Sequence, residues 1–274
     1  MSEGSPKTVL TIAGFDPSSG AGITADLKTI SAHGLYGIAC ITGLTIQNTL
    51  GVQRVESVAP DLVRDTLQSL VDDLPPASVK IGMLGTGPIA KVVADFLKKS
   101  RPANVVLDPV LRSSSGKLLL DDSGLQVLRE ELLSLADVIT PNIEEAATLT
   151  GMRVASEAAM EEACRAFRRM GVRNAVITGG HLSDPVDVFL GEEIGAAKCY
   201  RHNRVATRST HGTGCAYSTA IACNLARGIP LVGSEPTAIS LAGDYVHAAL
   251  TEAYAIGKGT GPINHLCSRR SSSG

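Results

Sequence analysis

The sequence predicts an α/β protein in which a mostly parallel central sheet is covered by helices on both faces. Short runs of apolar and β-branched residues alternate with stretches of helical periodicity. Parallel neighbours need a crossover connection, which a helix usually supplies, so this alternation favours parallel strands. The predicted strands are residues 8–13, 37–45, 78–82, 104–108, 137–140 and 174–178.

The rest of the chain completes this organisation. Strand-like fragments within residues 186–205 predict an edge hairpin, and helical patterns follow over 213–227 and near 237–256. The polar ends, residues 1–6 and 268–274, are expected to be disordered. Residues 7–267 are therefore predicted to form a single domain.

Composition narrows the class of partner. The 274 residues, of which 44% are apolar, suffice for one large core. The 25 basic and 27 acidic residues nearly cancel, which predicts a small-molecule partner rather than nucleic acid or an anionic membrane. The six cysteines lack metal-ligand spacing, no signal-peptide pattern is present, and the apolar runs are too short to span a bilayer. These features predict a cytoplasmic protein without a transmembrane segment.

A glycine-rich segment precedes the helical pattern that begins at Thr213. Gly212, Thr213, Gly214 and Cys215 lie where successive backbone N–H groups point outward at a helix N-terminus. Those unpaired donors and the helix dipole together bind phosphate oxygens, so the segment predicts an anion hole. The alternative is an ordinary turn with Thr213 as the N-cap.

Cys215 lies in the first turn of the same predicted helix. The helix dipole there is expected to lower the thiol pKa, which makes Cys215 a candidate base. The alternative is a small buried cysteine that packs like any other apolar residue.

Acidic and amide side chains follow two predicted strands. Asp108 ends one strand, where ligands of open α/β sheets bind, although it also suits a capping role in the next turn. Asn142 and Glu145 are three residues apart at the start of a helix, a spacing that suits a hydrated Mg²⁺ beside a triphosphate. The same spacing also matches a capping box.

Other polar positions are candidates for ligand contacts. Residues 112–117 form a flexible loop whose Lys117 suits closure over phosphates, or simply a solvated loop. Gly14 lies in a glycine-rich turn that lets the backbone approach a flat ligand, while Asp26 and Gln47 offer a carboxylate and an amide to a heteroaromatic edge. Each of these three is as typical of a turn or a surface position.

The sequence contains one of the two standard nucleotide-binding signatures, the P-loop and the dinucleotide-binding pattern. The P-loop pattern is absent from the sequence. Residues 85–90 fit the dinucleotide-binding pattern, with Asp108 near the expected position of a ribose-binding acid, so a dinucleotide-binding protein is a rival hypothesis. Against it, the match lies well inside the chain and gives residues 212–214 no role.

Taken together, the motifs resemble the hydroxymethylpyrimidine/phosphomethylpyrimidine kinases of thiamine biosynthesis, which belong to the ribokinase-like superfamily. The resemblance extends roughly over residues 7–265. Its motifs are residues 11–22, 25–29, 47–49, 80–84, 106–110, 139–146, 179–181 and 210–215.

This resemblance implies a three-layer fold with about nine strands, Mg-ATP as the phosphate donor, and a homodimer. It also implies two successive phosphorylations of 4-amino-5-hydroxymethyl-2-methylpyrimidine. Gly14 and Gln47 match residues that contact the pyrimidine, and the further positions that match the ring pocket are Asp26, Met83 and Val110. The matching anion hole is formed by Gly212, Thr213, Gly214 and Cys215.

The resemblance assigns the nucleotide side as well. Asp108, Asn142 and Glu145 would orient the metal and its waters, with Asp108 and Glu145 acting through water. Many family members carry Lys where this chain has Thr178, so a hydroxyl from Thr178 or a cation from Lys117 would have to serve instead. A pyridoxal or pyridoxine kinase, or an enzyme with both activities, is the nearest alternative.

Overall fold

The computed structural model describes residues 4–180, 182–192 and 194–267. Its strands are β1 (Thr8–Phe15), β2 (Tyr36–Asn48), β3 (Gly51–Ser57), β4 (Ser78–Ile81), β5 (Val105–Leu107), β6 (Val138–Ile139), β7 (Asn174–Gly179), β8 (Val186–Gly191) and β9 (Lys198–Arg201). Its helices are α1 (Gly22–Ala32), α2 (Pro60–Asp73), α3 (Gly87–Ser100), α4 (Asp122–Val127), α5 (Leu133–Leu135), α6 (Ile143–Thr150), α7 (Glu157–Arg169), α8 (Thr213–Ala226) and α9 (Ala238–Thr251). A π-helical turn, Leu128–Leu132, joins α4 to α5.

Within the described residues, nine strands form one sheet in the order β3-β2-β1-β4-β5-β6-β7-β8-β9. The neighbours from β2 to β7 are parallel. The edge pairs β2–β3, β7–β8 and β8–β9 are antiparallel. The carboxyl ends of the parallel strands therefore meet at one edge of the sheet, where open α/β folds bind ligands.

Both faces of the sheet are covered by helices. Successive strand residues point to opposite faces, so Leu10 packs in one core with α2, α3, α6 and α7. Its neighbour Val9 packs in the other core with α1, α8 and α9. The near-continuous apolar strands follow from this arrangement, because both sides of each central strand are buried.

The predicted fold class is confirmed, and all of the predicted strands are present within a few residues. The edge hairpin is β8–β9, and the last predicted helix ends at Thr251, five residues before the predicted end at Ile256. Sequence patterns missed β3, whose polar side chains at the sheet edge are largely exposed and give no apolar run. Residues 1–3 and 268–274, predicted to be disordered, lie outside the described ranges, and residues 4–6 precede β1 without regular structure.

A buried ion pair joins four elements beneath the start of α8. Lys80 Nζ of β4 lies 3.0 Å and 3.1 Å from the two carboxylate oxygens of Asp26 in α1, and both side chains are fully buried. The same carboxylate accepts hydrogen bonds from Thr11 Oγ1 of β1 at 2.6 Å and from Thr219 Oγ1 of α8 at 2.8 Å. Burial opposes the ammonium charge of Lys80, but the attraction of Asp26 outweighs it and raises the Lys80 pKa.

Removing one member of this pair is expected to destabilise the fold strongly. Lys80→Met leaves the Asp26 carboxylate buried without its cation, and we expect the free energy of unfolding to fall by about 3–5 kcal/mol in urea denaturation. Combining it with Asp26→Leu removes the orphaned charge and should recover much of that loss. Lys91→Met removes an exposed pair with Glu131 and serves as the control, with little expected effect. A Lys80→Met protein as stable as Lys91→Met would contradict the role of the pair.

Candidate active site

The predicted anion hole is the N-terminus of α8. Gly212 is the N-cap, with φ of +87°, a left-handed conformation that favours glycine. No side chain among the described residues caps this terminus. The Thr213 N–H donates to the Thr210 carbonyl oxygen at 3.4 Å, which leaves the next N–H groups, those of Gly214 and Cys215, to meet an anion. The alternative with Thr213 as N-cap is wrong, because Thr213 is the first helical residue and its hydroxyl donates to the carbonyl oxygen of Thr210.

The glycine loop after β1 packs against this anion hole. A Cβ atom on Gly212 would collide with the carbonyl oxygen of Gly20, and a Cβ atom on Gly20 would collide with the His211 ring. The two loops approach this closely because both positions lack side chains. Gly20 and Gly212 thus allow the loop after β1 to contact the start of α8.

Cys215 lies in the first turn of α8, where the candidate-base hypothesis places it, and it is half-buried. The expectation of a lowered thiol pKa is wrong for the ligand-free site. Burial raises the pKa of Cys215 to about 12, and the carboxylates of Asp108 and Asp26 add to this, while Lys80 acts in the opposite direction. With this pKa the thiol form predominates at neutral pH.

Two carboxyl groups converge at the ends of β5 and β6. Asp108 is buried after β5 and accepts a hydrogen bond from Ser218 Oγ of α8 at 3.2 Å. Burial raises the pKa of Asp108 to about 6. Burial and the neighbouring Asp108 raise the pKa of Glu145 to about 8. The two acids therefore share a poorly solvated region in which ionising one disfavours ionising the other.

Asn142 and Glu145 form the capping box that was the alternative to a metal role. Asn142 Oδ1 accepts from the Glu145 N–H at 2.9 Å, and Glu145 Oε2 accepts from the Asn142 N–H at 2.9 Å. Glu145 Oε1 also accepts from the Leu111 N–H at 3.4 Å. Among the described residues, no group of three or more His, Cys, Asp or Glu side chains has the arrangement of a complete metal site. Any metal held here would draw ligands from water and substrate.

The residues predicted to contact a heteroaromatic ring gather at the ends of β1, β2 and β4. A Cβ atom on Gly14 would lie 2.8 Å from Met83 Cε, so the missing side chain leaves room for the methionine. The Gln47 amide lies 3.1 Å from His211 Nε2, next to the anion hole. Val110 is half-buried two residues after Asp108. Gly14 and Met83 are thus in contact with each other, and Gln47 contacts the residue that immediately precedes Gly212.

The prediction that Asp26 lines the ring pocket is corrected by the structure. Its carboxylate has no solvent exposure, and Lys80, Thr11 and Thr219 occupy its oxygens. Asp26 supports the site from below, together with Lys80, to which sequence reasoning gave no role. A lysine between the apolar residues Val79 and Ile81 of a predicted strand was the available signal, because such a buried cation requires an acidic partner.

The other two residues predicted to contact the nucleotide, Thr178 and Lys117, differ in solvent exposure. Thr178 is in β7, its N–H donates to the Pro141 carbonyl oxygen at 2.9 Å, and it bridges to Asn142. Lys117 is exposed in a short loop closed by the Arg112–Leu118 bridge. In that loop Ser115 Oγ accepts a hydrogen bond from the Val52 N–H at 3.3 Å, so the loop contacts the start of β3. The structure thus brings Thr178 beside Asn142 but leaves Lys117 on the surface.

The dinucleotide pattern of residues 85–90 does not form an open site. The N–H of Gly87, at the start of α3, donates to Asp121 Oδ1 at 3.1 Å. A Cβ atom on Gly87 would collide with Ser123 Oγ. The start of α4 thus fills the space that a pyrophosphate would need. The dinucleotide-binding hypothesis is therefore left without a binding site.

An uncapped helix N-terminus beside two buried acids, at the carboxyl edge of a parallel sheet, defines an α/β phosphotransferase site. The sequence model of the family described as phosphomethylpyrimidine kinase matches residues 16–264. The chain therefore belongs to the phosphomethylpyrimidine kinase family.

Individual relatives agree with this assignment. The chain is 40% identical over 263 residues to the hydroxymethylpyrimidine/phosphomethylpyrimidine kinase of Haemophilus influenzae, which covers 94% of this chain and 96% of that protein. It is 42% identical over 262 residues to the thiamine biosynthesis bifunctional protein ThiED of Geobacter sulfurreducens; this covers 94% of the chain but only 52% of that protein's length. The structure of Bacillus subtilis pyridoxal kinase in an ADP complex matches with a TM-score of 0.86 and 35% identity, covering 95% of this chain and 98% of that one.

The raised pKa of Glu145 predicts how stability depends on pH. The folded protein holds this proton more tightly than the unfolded chain, whose glutamate has a pKa near 4.5. The stabilisation is complete below 4.5 and is lost as pH rises through about 8. We expect the difference in unfolding temperature, Glu145→Gln minus wild type, to increase across that range in ligand-free protein. Glu144→Gln, exposed on the same helix, is the control; a pH-independent difference for Glu145→Gln would contradict the assignment.

Proposed function

We propose that this chain transfers the γ-phosphoryl group of ATP to the hydroxymethyl group of 4-amino-5-hydroxymethyl-2-methylpyrimidine, and then a second phosphoryl group to the monophosphate. The observation that carries the proposal is the position of the uncapped α8 N-terminus between the ring-pocket residues and the acids at the strand ends. The Haemophilus influenzae relative is a kinase of this substrate pair by name.

The N–H groups of residues 212–215 would stabilise the transferring phosphoryl group. Phosphoryl transfer depends on positioning and charge neutralisation more than on covalent chemistry. Donors fixed at a helix N-terminus are already oriented, so they bind the developing charge without reorganisation. The close packing of Gly20 on Gly212 helps to hold those donors in place.

Cys215 is the candidate base for the first step, in which the acceptor is a neutral hydroxyl group. Burial raises the pKa of its thiol to about 12, and the buried ammonium group of Lys80 acts in the opposite direction and favours the thiolate. In the second step the acceptor is a phosphate group that is already ionised and needs no base. The role of Cys215 therefore distinguishes the two steps.

Asp108 and Glu145 fit a Mg²⁺ ion held through water. Mg²⁺ is usually bound by one or two carboxylates, several waters and substrate phosphates, which matches this pair of acids. A bound Mg²⁺ would supply charge neutralisation for the triphosphate. Within the protein, a cation here would favour the ionised forms of both carboxyl groups, whose pKa values burial raises. Asn142 would orient Glu145 through the capping box, and Thr178 beside it would offer a hydroxyl group to a phosphate.

A pyridoxal kinase is the second candidate, because the Bacillus subtilis pyridoxal kinase matches 95% of the chain with a TM-score of 0.86. Both candidates phosphorylate a hydroxymethyl group on a heteroaromatic ring and would use the same anion hole. They differ in the ring edge that Gln47 and its neighbours must recognise.

The catalytic proposal is tested by product analysis. Purified protein is incubated with Mg-ATP and either hydroxymethylpyrimidine, its monophosphate or pyridoxal, and products are identified by mass. We expect both pyrimidine phosphates, and Cys215→Ala should slow the first step by about 10²-fold or more while affecting the second less. Cys223→Ala, a buried cysteine of the same helix, is the matched control. Turnover of pyridoxal alone would favour the second candidate, and equal effects on both steps would remove Cys215 as the base.

The assembly and location of the chain belong to the same proposal. We infer a homodimer through the outer part of β2, where Leu44 and Ile46 lie on one face and are 50% and 46% exposed, next to the exposed Leu50. Cys40, Cys164, Cys199 and Cys215 carry free thiols, which suits a reducing compartment such as the cytoplasm. Among the described helices, none is long and apolar enough to cross a bilayer.

Substituting the exposed apolar face of β2 tests the dimer. Ile46→Glu places a charge in the inferred interface, and we expect light scattering after size-exclusion chromatography to show a shift from dimer to monomer. Leu62→Glu, at an exposed apolar position on α2, should leave the dimer intact. A monomeric wild-type protein, or a dimer unaffected by Ile46→Glu, would contradict this interface.

A further inference from the structure

His211, the residue immediately before the N-cap Gly212, is held at both of its backbone groups and at its ring. Its N–H donates to the Gly261 carbonyl oxygen at 3.0 Å, and its carbonyl oxygen accepts from the Ile263 N–H at 3.3 Å. Its ring nitrogen Nε2 lies 2.8 Å from Asp16 Oδ2, in the loop after β1. The residue that leads into the anion hole therefore has contacts with two separate parts of the chain.

The carboxylate of Asp16 accepts the hydrogen of this ring contact. Its Oδ1 accepts from the N–H and hydroxyl groups of Ser18 at 2.8 Å and 2.7 Å, and its Oδ2 accepts from the Ala21 N–H at 2.9 Å. Burial opposes ionisation of Asp16, but hydrogen bonds from His211 and Ser18 outweigh it and lower the pKa. An ionised carboxylate only accepts, so His211 Nε2 donates. Gln47 Nε2, 3.1 Å from the same ring nitrogen, is itself a donor and does not compete for this hydrogen.

The contact between His211 and Asp16 is shielded from water. Their side chains are 11% and 4% exposed. Gly20 packs against the ring, since a Cβ atom there would collide with it, and the Gly20 carbonyl oxygen lies against Gly212. Breaking the contact would leave a buried carboxylate without one of its donors, which costs more than losing an exposed hydrogen bond. The ring and the loop after β1 thus keep one arrangement.

The segment that holds the backbone of His211 is anchored on α9. The Asn264 N–H donates to the Ala249 carbonyl oxygen at 3.0 Å, and the Tyr245 hydroxyl group donates to the His265 carbonyl oxygen at 2.7 Å. Residues 261–263, which precede these anchors, are the ones that pair with His211. His211 therefore joins the loop after β1 to the segment that follows α9.

Any displacement of His211 is passed to Gly212, because a planar peptide group connects the two residues. Gly212 is the N-cap of α8, so its position sets where the N–H groups of Gly214 and Cys215 point. Donors that stabilise a transition state must already be oriented, and a misplacement of about 1 Å can lower a rate by about 10²-fold. Small movements of His211 therefore matter to the anion hole.

We propose that His211 and Asp16 are positioning residues that hold the N-cap of α8, so that the N–H groups of Gly214 and Cys215 are aligned with the phosphoryl group during transfer. This inference rests on the proposed function, since it takes these N–H groups to bind that group. The same anion hole serves both phosphorylations, so the pair is required equally in both steps. A base at Cys215, in contrast, is needed in the first step only.

The first test compares the two phosphorylation steps. His211→Leu removes the ring donor, and we expect kcat to fall by about tenfold or more in both steps, by similar factors, with little change in KM for Mg-ATP. His211→Gln keeps an N–H donor for Asp16 and should restore part of the loss. His202→Leu is the matched control and should change kcat little, because it removes a similar contact, His202 Nε2 to Asp187 Oδ2 at 2.9 Å, beside the β8–β9 hairpin.

A transition-state mimic gives a readout that a general loss of stability does not reproduce. Mg-ADP with aluminium fluoride presents an anion in the place of the transferring phosphoryl group. Its affinity in the presence of hydroxymethylpyrimidine is compared with that of Mg-ADP alone by titration calorimetry. In His211→Leu we expect the affinity for the fluoride complex to fall by about tenfold, while that for Mg-ADP stays unchanged. Gly20→Ala, whose methyl group displaces the ring without removing a charge, should give the same pattern and decides the question if His211→Leu does not fold.

The possible failures are distinguishable. No turnover of the pyrimidine by wild type would refute the proposed function itself. With an active wild type, wild-type kcat in His211→Leu, a loss confined to KM or to one step, or an equal loss of affinity for Mg-ADP and the fluoride complex would refute the positioning role and leave the kinase assignment intact.

Discussion

The buried ion pair between Lys80 and Asp26 is the interaction on which the site depends. It connects β1, β4, α1 and α8 through one carboxylate, whose oxygens are occupied by Lys80, Thr11 and Thr219. A carboxylate enclosed in this way fixes the position of α8 relative to the sheet, because moving the helix would leave a buried charge unsatisfied. The N-terminus of α8, which has no side-chain cap, is thereby held at the carboxyl edge of the sheet.

The same buried charges set the chemistry of the groups around them. Asp108 and Glu145 have raised pKa values because they are poorly solvated and close together, and Cys215 has a raised pKa for similar reasons. A phosphate-binding site lined with acids is not contradictory when a divalent cation lies between them. Asp108 and Glu145 therefore hold their protons to higher pH than ordinary carboxyl groups do.

Much of the fold and part of the site could be predicted from the sequence. Apolar runs revealed the central strands, and the glycines of residues 212–214 revealed the start of α8, because both signals are local. The exposed β3 gave no such signal. Asp26 was assigned to the wrong role and Lys80 to none, because their partnership joins β4 to α1 across 54 residues. Asp121 and Ser123 fill the space beside residues 85–90, and no sequence motif links these two residues to that segment.

By itself, the sequence determined the α/β class, the family and the residue types at the sheet edge, since these follow from periodicity and short motifs. Only the tertiary structure decided which polar groups are buried and which of them meet. The sequence left the protonation state of Cys215 open, whereas in the folded protein burial and nearby carboxylates raise the pKa of its thiol to about 12. It also placed His211 between Asp16 and Gln47, 195 and 164 residues away in the chain. Charge and hydrogen-bond direction depend on distance and burial in space, which the order of residues does not specify.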